Sequence, residues 1–135
     1  MNLVSVRIIT ADVDRMVDFY TRLIGATVDR PVPDFAEFRT STSTLALGST
    51  RTVELFGAGT AEAAANRSAI VEFLVDDVDA TYASLREWVT TFVDGPTTMP
   101  WGNRSLLLRD PDGNLVNLFT PATTAAQKKF SRFEH

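Results

Sequence analysis

Cysteine is absent from this chain, and histidine occurs once, as the final residue His135. Without a thiol there is no disulfide framework, zinc knuckle or cysteine nucleophile, although lack of cysteine alone does not fix a compartment. With its one imidazole at a chain end, where backbone frays, the protein has no internal histidine to serve as base or ligand. Positive charge is also sparse: 13 Lys and Arg against 17 Asp and Glu leave a net charge of -4, and Lys128 and Lys129 form the one basic cluster. A phosphate backbone needs a basic stripe, so nucleic acid is not an expected partner. No apolar run approaches the roughly 20 residues that cross a bilayer. Met1 to Thr10 lacks the charged start and apolar stretch of a secretory signal. No membrane partner is expected, and the expected location is the cytoplasm. What is present, 44% hydrophobic residues in a chain of 135, suits one packed domain spanning 1–135.

Two stretches share a plan. Ala11-Asp12-Val13-Asp14 returns at an offset of 65 positions as Asp76-Asp77-Val78-Asp79, which points to tandem modules. Behind the first, Val13, Met16, Val17, Tyr20 and Ile24 recur at helical spacing; behind the second, Val78, Tyr82, Leu85 and Val89 do the same. The acidic residues in each first turn suit the helix dipole. Trp88 falls on the second helix, matched to Leu23 of the first. A strand-like run precedes each helix, Leu3 to Ile9 and Ala69 to Val75.

Turn residues at Pro31-Val32-Pro33-Asp34, Gly48-Ser49, Gly95-Pro96 and Asp110-Pro111-Asp112-Gly113-Asn114 then divide the remainder into short strands. These are Ala36 to Thr40, Ser43 to Leu47 and Thr52 to Phe56, followed by Thr91 to Asp94, Arg104 to Arg109 and Leu115 to Phe119. Each half reads as β-α-β-β-β, in an α+β fold. Module 1 covers about 1–57, an Ala- and Gly-rich linker about 58–68, module 2 about 69–121, and a tail 122–135. The tail has helical propensity to Lys129 and ends with Phe130 and Phe133, which suits either packing on a partner subunit or mobility.

Asp12-Val13-Asp14-Arg15-Met16-Val17-Asp18-Phe19-Tyr20 followed by Leu23-Ile24-Gly25 resembles the first helix of vicinal oxygen chelate proteins, the glyoxalase and bleomycin-resistance superfamily. Pro100-Trp101-Gly102-Asn103-Arg104 and Asp110-Pro111-Asp112-Gly113-Asn114-Leu115-Val116-Asn117-Leu118 resemble that family's closing strands. The resemblance covers roughly Leu3 to Pro121. It implies curved sheets around a ligand cup with helices outside, and a homodimer, as is common among small members. Strand alternation agrees: Val6, Ile8, Val53, Leu55, Val71, Phe73, Val116 and Leu118 share one apolar parity, suited to a helix-covered face. The other parity carries Ser5, Arg7, Thr52, Glu54, Glu72 and Asn117, suited to a wet or ligand-filled interior.

Metal-dependent members carry four ligand positions, which the resemblance matches here to Ser5, Glu54, Ile70 and Asn117. A catalytic divalent ion wants at least three nitrogen or carboxylate donors, and this set holds one, so no metal and no cofactor is expected. The expected function is metal-independent binding of a small, partly aromatic molecule, as in bleomycin-resistance relatives that sequester an antibiotic or metabolite. Arg7, Phe38, Glu54, Phe56, Trp101, Arg104, Asn117 and Phe119 are the candidate ligand contacts. Trp101 offers a flat indole or else covers a sheet edge, and Phe38, Phe56 and Phe119 line the cup or fill the core. Arg104 reaches the ligand or braces the turn Asp110 to Asn114. Glu54 and Glu72 share a face with Arg7, either as internal ion-pair partners or as the base of a metal-free isomerase, hydrolase or cyclase. A metal-dependent lyase or dioxygenase is a more distant alternative.

Overall fold

The computed structural model describes residues Met1–Phe133, so His135 lies outside the described residues. Two helices open the same way. Asp12 accepts a hydrogen bond from the Arg15 amide at 3.1 Å and starts α1 (Val13–Ile24), and Asp77 accepts from the Ala80 amide at 3.1 Å and starts α3 (Val78–Leu85). A carboxylate at the N-cap satisfies an orphan amide and complements the helix dipole. The described residues form two compact units, Met1–Asn66 together with Pro111–Gly113, and Arg67–Asp110 together with 114–133.

In the first unit β1 (Ser5–Thr10), α1, β2 (Asp29–Val32), β3 (Phe35–Arg39) and β4 (Thr44–Ser49) build a curved, open sheet of order β1-β4-β3-β2. The last strand returns parallel to the first, with Arg7 opposite Ala46 and Ile8 opposite Leu47. Fully buried Met16 and Tyr20 of α1 pack on fully buried Ala36, Phe38 and Leu47, and the Tyr20 and Phe38 rings lie 6.2 Å apart. A short α2 (Thr50–Val53) follows β4, fixed by the Thr52 hydroxyl donating to the Ser49 carbonyl at 2.7 Å.

The second unit repeats the plan with β5 (Ile70–Leu74), α3, β6 (Phe92–Thr98), β7 (Asn103–Arg109) and β8 (Leu115–Pro121), ordered β5-β8-β7-β6. Val78 and Leu85 of α3 are buried with Leu106, Leu108, Val116 and Leu118. A final α4 (Thr124–Phe130) leads into a 3-10 turn, Ser131–Phe133. No described helix is long and apolar enough to cross a membrane.

The α+β class and the doubled β-α-β-β-β order agree with the sequence reading, but Gly95-Pro96, read as a turn, lies within β6 at a register shift, and the first module departs further. Thr52 to Phe56, expected as its last strand, is α2 and a turn, and Pro31 and Val32, read as the start of a turn, end a strand, β2 (Asp29–Val32). Two prolines in four residues suggested a turn, yet β2 lies at the sheet edge, where proline removes no interior ladder bond. Trp88 lies in a half-buried turn beyond α3 and is not on the helix. The parity reading holds for Val116 and Leu118, which are buried, but Val6 is 49% exposed and Leu55, off any strand, 87% exposed. Val6 lies near the start of edge strand β1, whereas α1 packs over β3 and β4.

Candidate functional site

Strand alternation gives each sheet a face covered by its helix and a face turned away from it. On the far face of the second sheet, β5 places Glu72 opposite Asn117 of β8, which lies opposite Leu107 of β7. The Asn117 side-chain nitrogen donates to Glu72 at 2.8 Å. A carboxylate only accepts, so this bond fixes the orientation of the amide and leaves Oδ1 as its free end. Oδ1 has no donor among the described residues although Asn117 is only 9% exposed. One register step away, the buried Ser105 hydroxyl likewise lacks a partner. Shielded polar atoms without partners are uncommon and cost about 1–3 kcal/mol each.

Beside them is an aromatic wall. Phe119 lies opposite Ser105, and its ring meets Phe130 of α4 edge to face at 5.0 Å, with Phe133 a further 6.2 Å on. α4 is seated by a hairpin turn at residues 100–102, where the Gly102 carbonyl accepts from the amides of Ala122 at 2.8 Å and Thr123 at 3.2 Å. Trp101 stands on that turn, 69% exposed.

On the far face of the first sheet, the Arg7 guanidinium carbon lies 5.0 Å from the centre of the Phe35 ring and 5.6 Å from that of Phe56. Glu37 and Asp29 on that face meet Arg39 at 3.4 and 3.2 Å.

Arg7 and Phe56 therefore come together, as do Glu72, Asn117 and Phe119. Phe38, Arg104 and Glu54 lie apart from these two groups. Phe38 is fully buried under α1. Arg104 lies on the helix side of its sheet, paired with Asp79 of α3 at 2.9 and 3.0 Å, and it braces that helix. The turn from Asp110 to Asn114 is closed by its own side chains, with the Asn114 amide and carboxamide donating to Asp110 at 2.9 and 2.8 Å. Glu54 is exposed beyond α2 and off the sheet. Sequence reasoning missed Ser105, a small hydroxyl whose significance appears only once β7 and β8 are in register, and Phe35, placed by the misread turn.

The correction at Glu54 moves one metal position. Asn117 lies opposite Glu72, two residues beyond Ile70; the same step from Ser5 leads to Arg7, which lies opposite Ala46. The positions are thus held by a hydroxyl, a methyl, a branched hydrocarbon and a carboxamide, which do not fit a catalytic divalent ion. No group of three or more His, Cys, Asp or Glu suited to a metal occurs among the described residues.

Residues 2–118 match the family model of the Glyoxalase/Bleomycin resistance protein/Dioxygenase superfamily. The chain belongs to this superfamily. It is 28% identical over 125 residues to the uncharacterized protein YraH of Bacillus subtilis, covering 88% of this chain and 98% of that one. Among solved structures, a glyoxalase/bleomycin resistance protein/dioxygenase family enzyme from Burkholderia phytofirmans has a TM-score of 0.78 at 23% identity, covering 90% of this chain and 99% of its own. A glyoxalase/bleomycin resistance protein/dioxygenase from Nocardioides has a TM-score of 0.74 at 24% identity, covering 92% and 85%. At these identities both structures share the superfamily fold with this chain.

Proposed function

We propose that this superfamily member binds and sequesters a small, partly aromatic organic molecule without a metal, as an antibiotic- or metabolite-binding protein of the cytoplasm. The observation that carries the reading is Asn117: its nitrogen is committed to Glu72 while its shielded oxygen has no donor. A ligand N–H or O–H supplies that donor, the Ser105 hydroxyl offers a second contact, and the flat part of the ligand packs on Phe119 as Phe130 moves aside. Trp101, at the hairpin tip beside α4, flanks the bound molecule. Binding is favoured over acid-base catalysis because Glu54 and Glu72, the candidate bases, are both exposed, whereas a general base is tuned by withdrawal from water.

The test is titration of wild type and Asn117→Leu with phenol and indole, read by Trp101 emission and by calorimetry. Wild type should bind, and Asn117→Leu should bind about tenfold or more weakly. The variant should also be more stable by about 1 kcal/mol, because an unpaired buried acceptor has gone. Equal affinity in the two proteins removes Asn117 from the site. The working form is proposed to be a homodimer, supported by edge strand β1 and the residues leading into it, where Leu3 and Val4 are 86 and 65% exposed and Val6 on the strand 49%. Sedimentation showing only a 14.8 kDa species at micromolar concentration would overturn that.

A further inference from the structure

The first unit carries a second group of side chains that this reading does not use. Arg7 projects from β1 on the face away from α1, and Ala46 beside it adds only a methyl. Gly48 on the same face has no side chain; a Cβ there would meet the Thr52 hydroxyl at 2.8 Å and the Arg7 stem at 3.5 Å. That close approach seats α2 against the sheet, and the turn after α2 brings Phe56 to the guanidinium. Phe35 reaches it from β3.

A ring engages a guanidinium through its flat face and satisfies none of its five N–H donors. Arg7 makes no hydrogen bond or ion pair among the described residues. Acids of this unit near it in register are paired elsewhere: Glu37 and Asp29 with Arg39, and Asp34 with Arg51 at 2.6 Å. Phe56 meanwhile leaves 72% of its surface exposed. An oriented, exposed cation without a countercharge, beside an exposed aromatic ring, is matched by a planar ring bearing one anionic group.

We infer that Arg7, with Phe35 and Phe56, is a binding site for the carboxylate of a small aromatic acid. The guanidinium edge meets the two carboxylate oxygens in parallel, and the ring of the acid lies along Phe56. One arginine balances one carboxylate, and a doubly charged phosphate ester lacks the second cation it calls for. This site stands independently of the proposed role of Asn117.

Calorimetric titration of wild type, Arg7→Met, Phe56→Ala and Asn117→Leu with 2-naphthoate, 2-naphthamide and 2-naphthyl phosphate tests the inference. Both Arg7 and Phe56 are exposed, so their variants should melt with wild type. Arg7→Met should weaken naphthoate binding roughly ten- to hundredfold, as loss of hydrogen bonds to a charged group does. Phe56→Ala should weaken it about two- to tenfold, and Asn117→Leu, which removes the acceptor proposed for N–H donors, should bind naphthamide at least about tenfold less tightly than naphthoate. Equal naphthoate affinity in wild type and Arg7→Met overturns the site. So does equal affinity of Asn117→Leu for naphthoate and the amide, or an Arg7-dependent preference for the phosphate ester.

Discussion

Phe38 is fully buried against Tyr20, while Phe56 stands 72% exposed over Arg7. Both had been legible as cup aromatics, because hydrophobicity and parity do not distinguish a ring under a helix from one beside a cation. Asn117 was a candidate through its place after the turn from Asp110 to Asn114, whereas its unpaired oxygen depends on the partner strand supplying Glu72. Glu54 was misplaced because its position rested on a strand that is absent. Gly102 gives a test at this scale. Its φ is +100°, and an added Cβ would meet the Thr123 hydroxyl as well as the Ala126 methyl at 3.2 Å. Gly102→Ala should therefore cost on the order of 3 kcal/mol in denaturant unfolding, from backbone strain together with displacement of α4. A cost below about 0.5 kcal/mol would mean that α4 does not rest there.

At the level of elements, α1, α3 and the outer course of both sheets were readable because their signals are local: an aspartate cap, a helical apolar stripe, a turn between alternating runs. β2 and α2 were not, since an edge strand tolerates proline and four residues show too little periodicity to separate helix from strand. Val53 and Leu55 share parity and would face the same way in a strand, but Val53 is 5% and Leu55 87% exposed. Leu55→Asp should accordingly change unfolding free energy by less than about 0.5 kcal/mol, and Val53→Asp should cost several times more. Similar costs for the two would restore the strand.

Across the whole molecule, the repeat was the most legible feature, since its two copies announce themselves with the same acidic opening. In each unit an arginine lowers the pKa of a carboxyl that it meets. The hydrogen bond from Arg51 holds the Asp34 carboxyl below its ordinary value of 3.8, and that from Arg104 does the same for Asp79. A carboxyl with a lowered folded pKa contributes stability above its unfolded value and loses it as pH falls through the folded one. These pairs should thus leave stability level from neutrality down to about pH 4 and add to its decline below that. Asp79→Asn should flatten the part of the decline below about pH 4, with smaller differences in high salt because the pair is exposed. Unchanged acid unfolding in the variant at low salt would remove the pair from the balance. The parallel return of β4 to β1, and of β8 to β5, bears on how the chain is made. Neither sheet can join its ends until its last strand exists, so the longest loop closure comes last in each. Ser49 completes the strands of the first sheet before Ile70 begins the second. During synthesis the amino-terminal sheet can therefore zip shut while the carboxyl-terminal one is still being translated, and the two closures need not compete for the same strands.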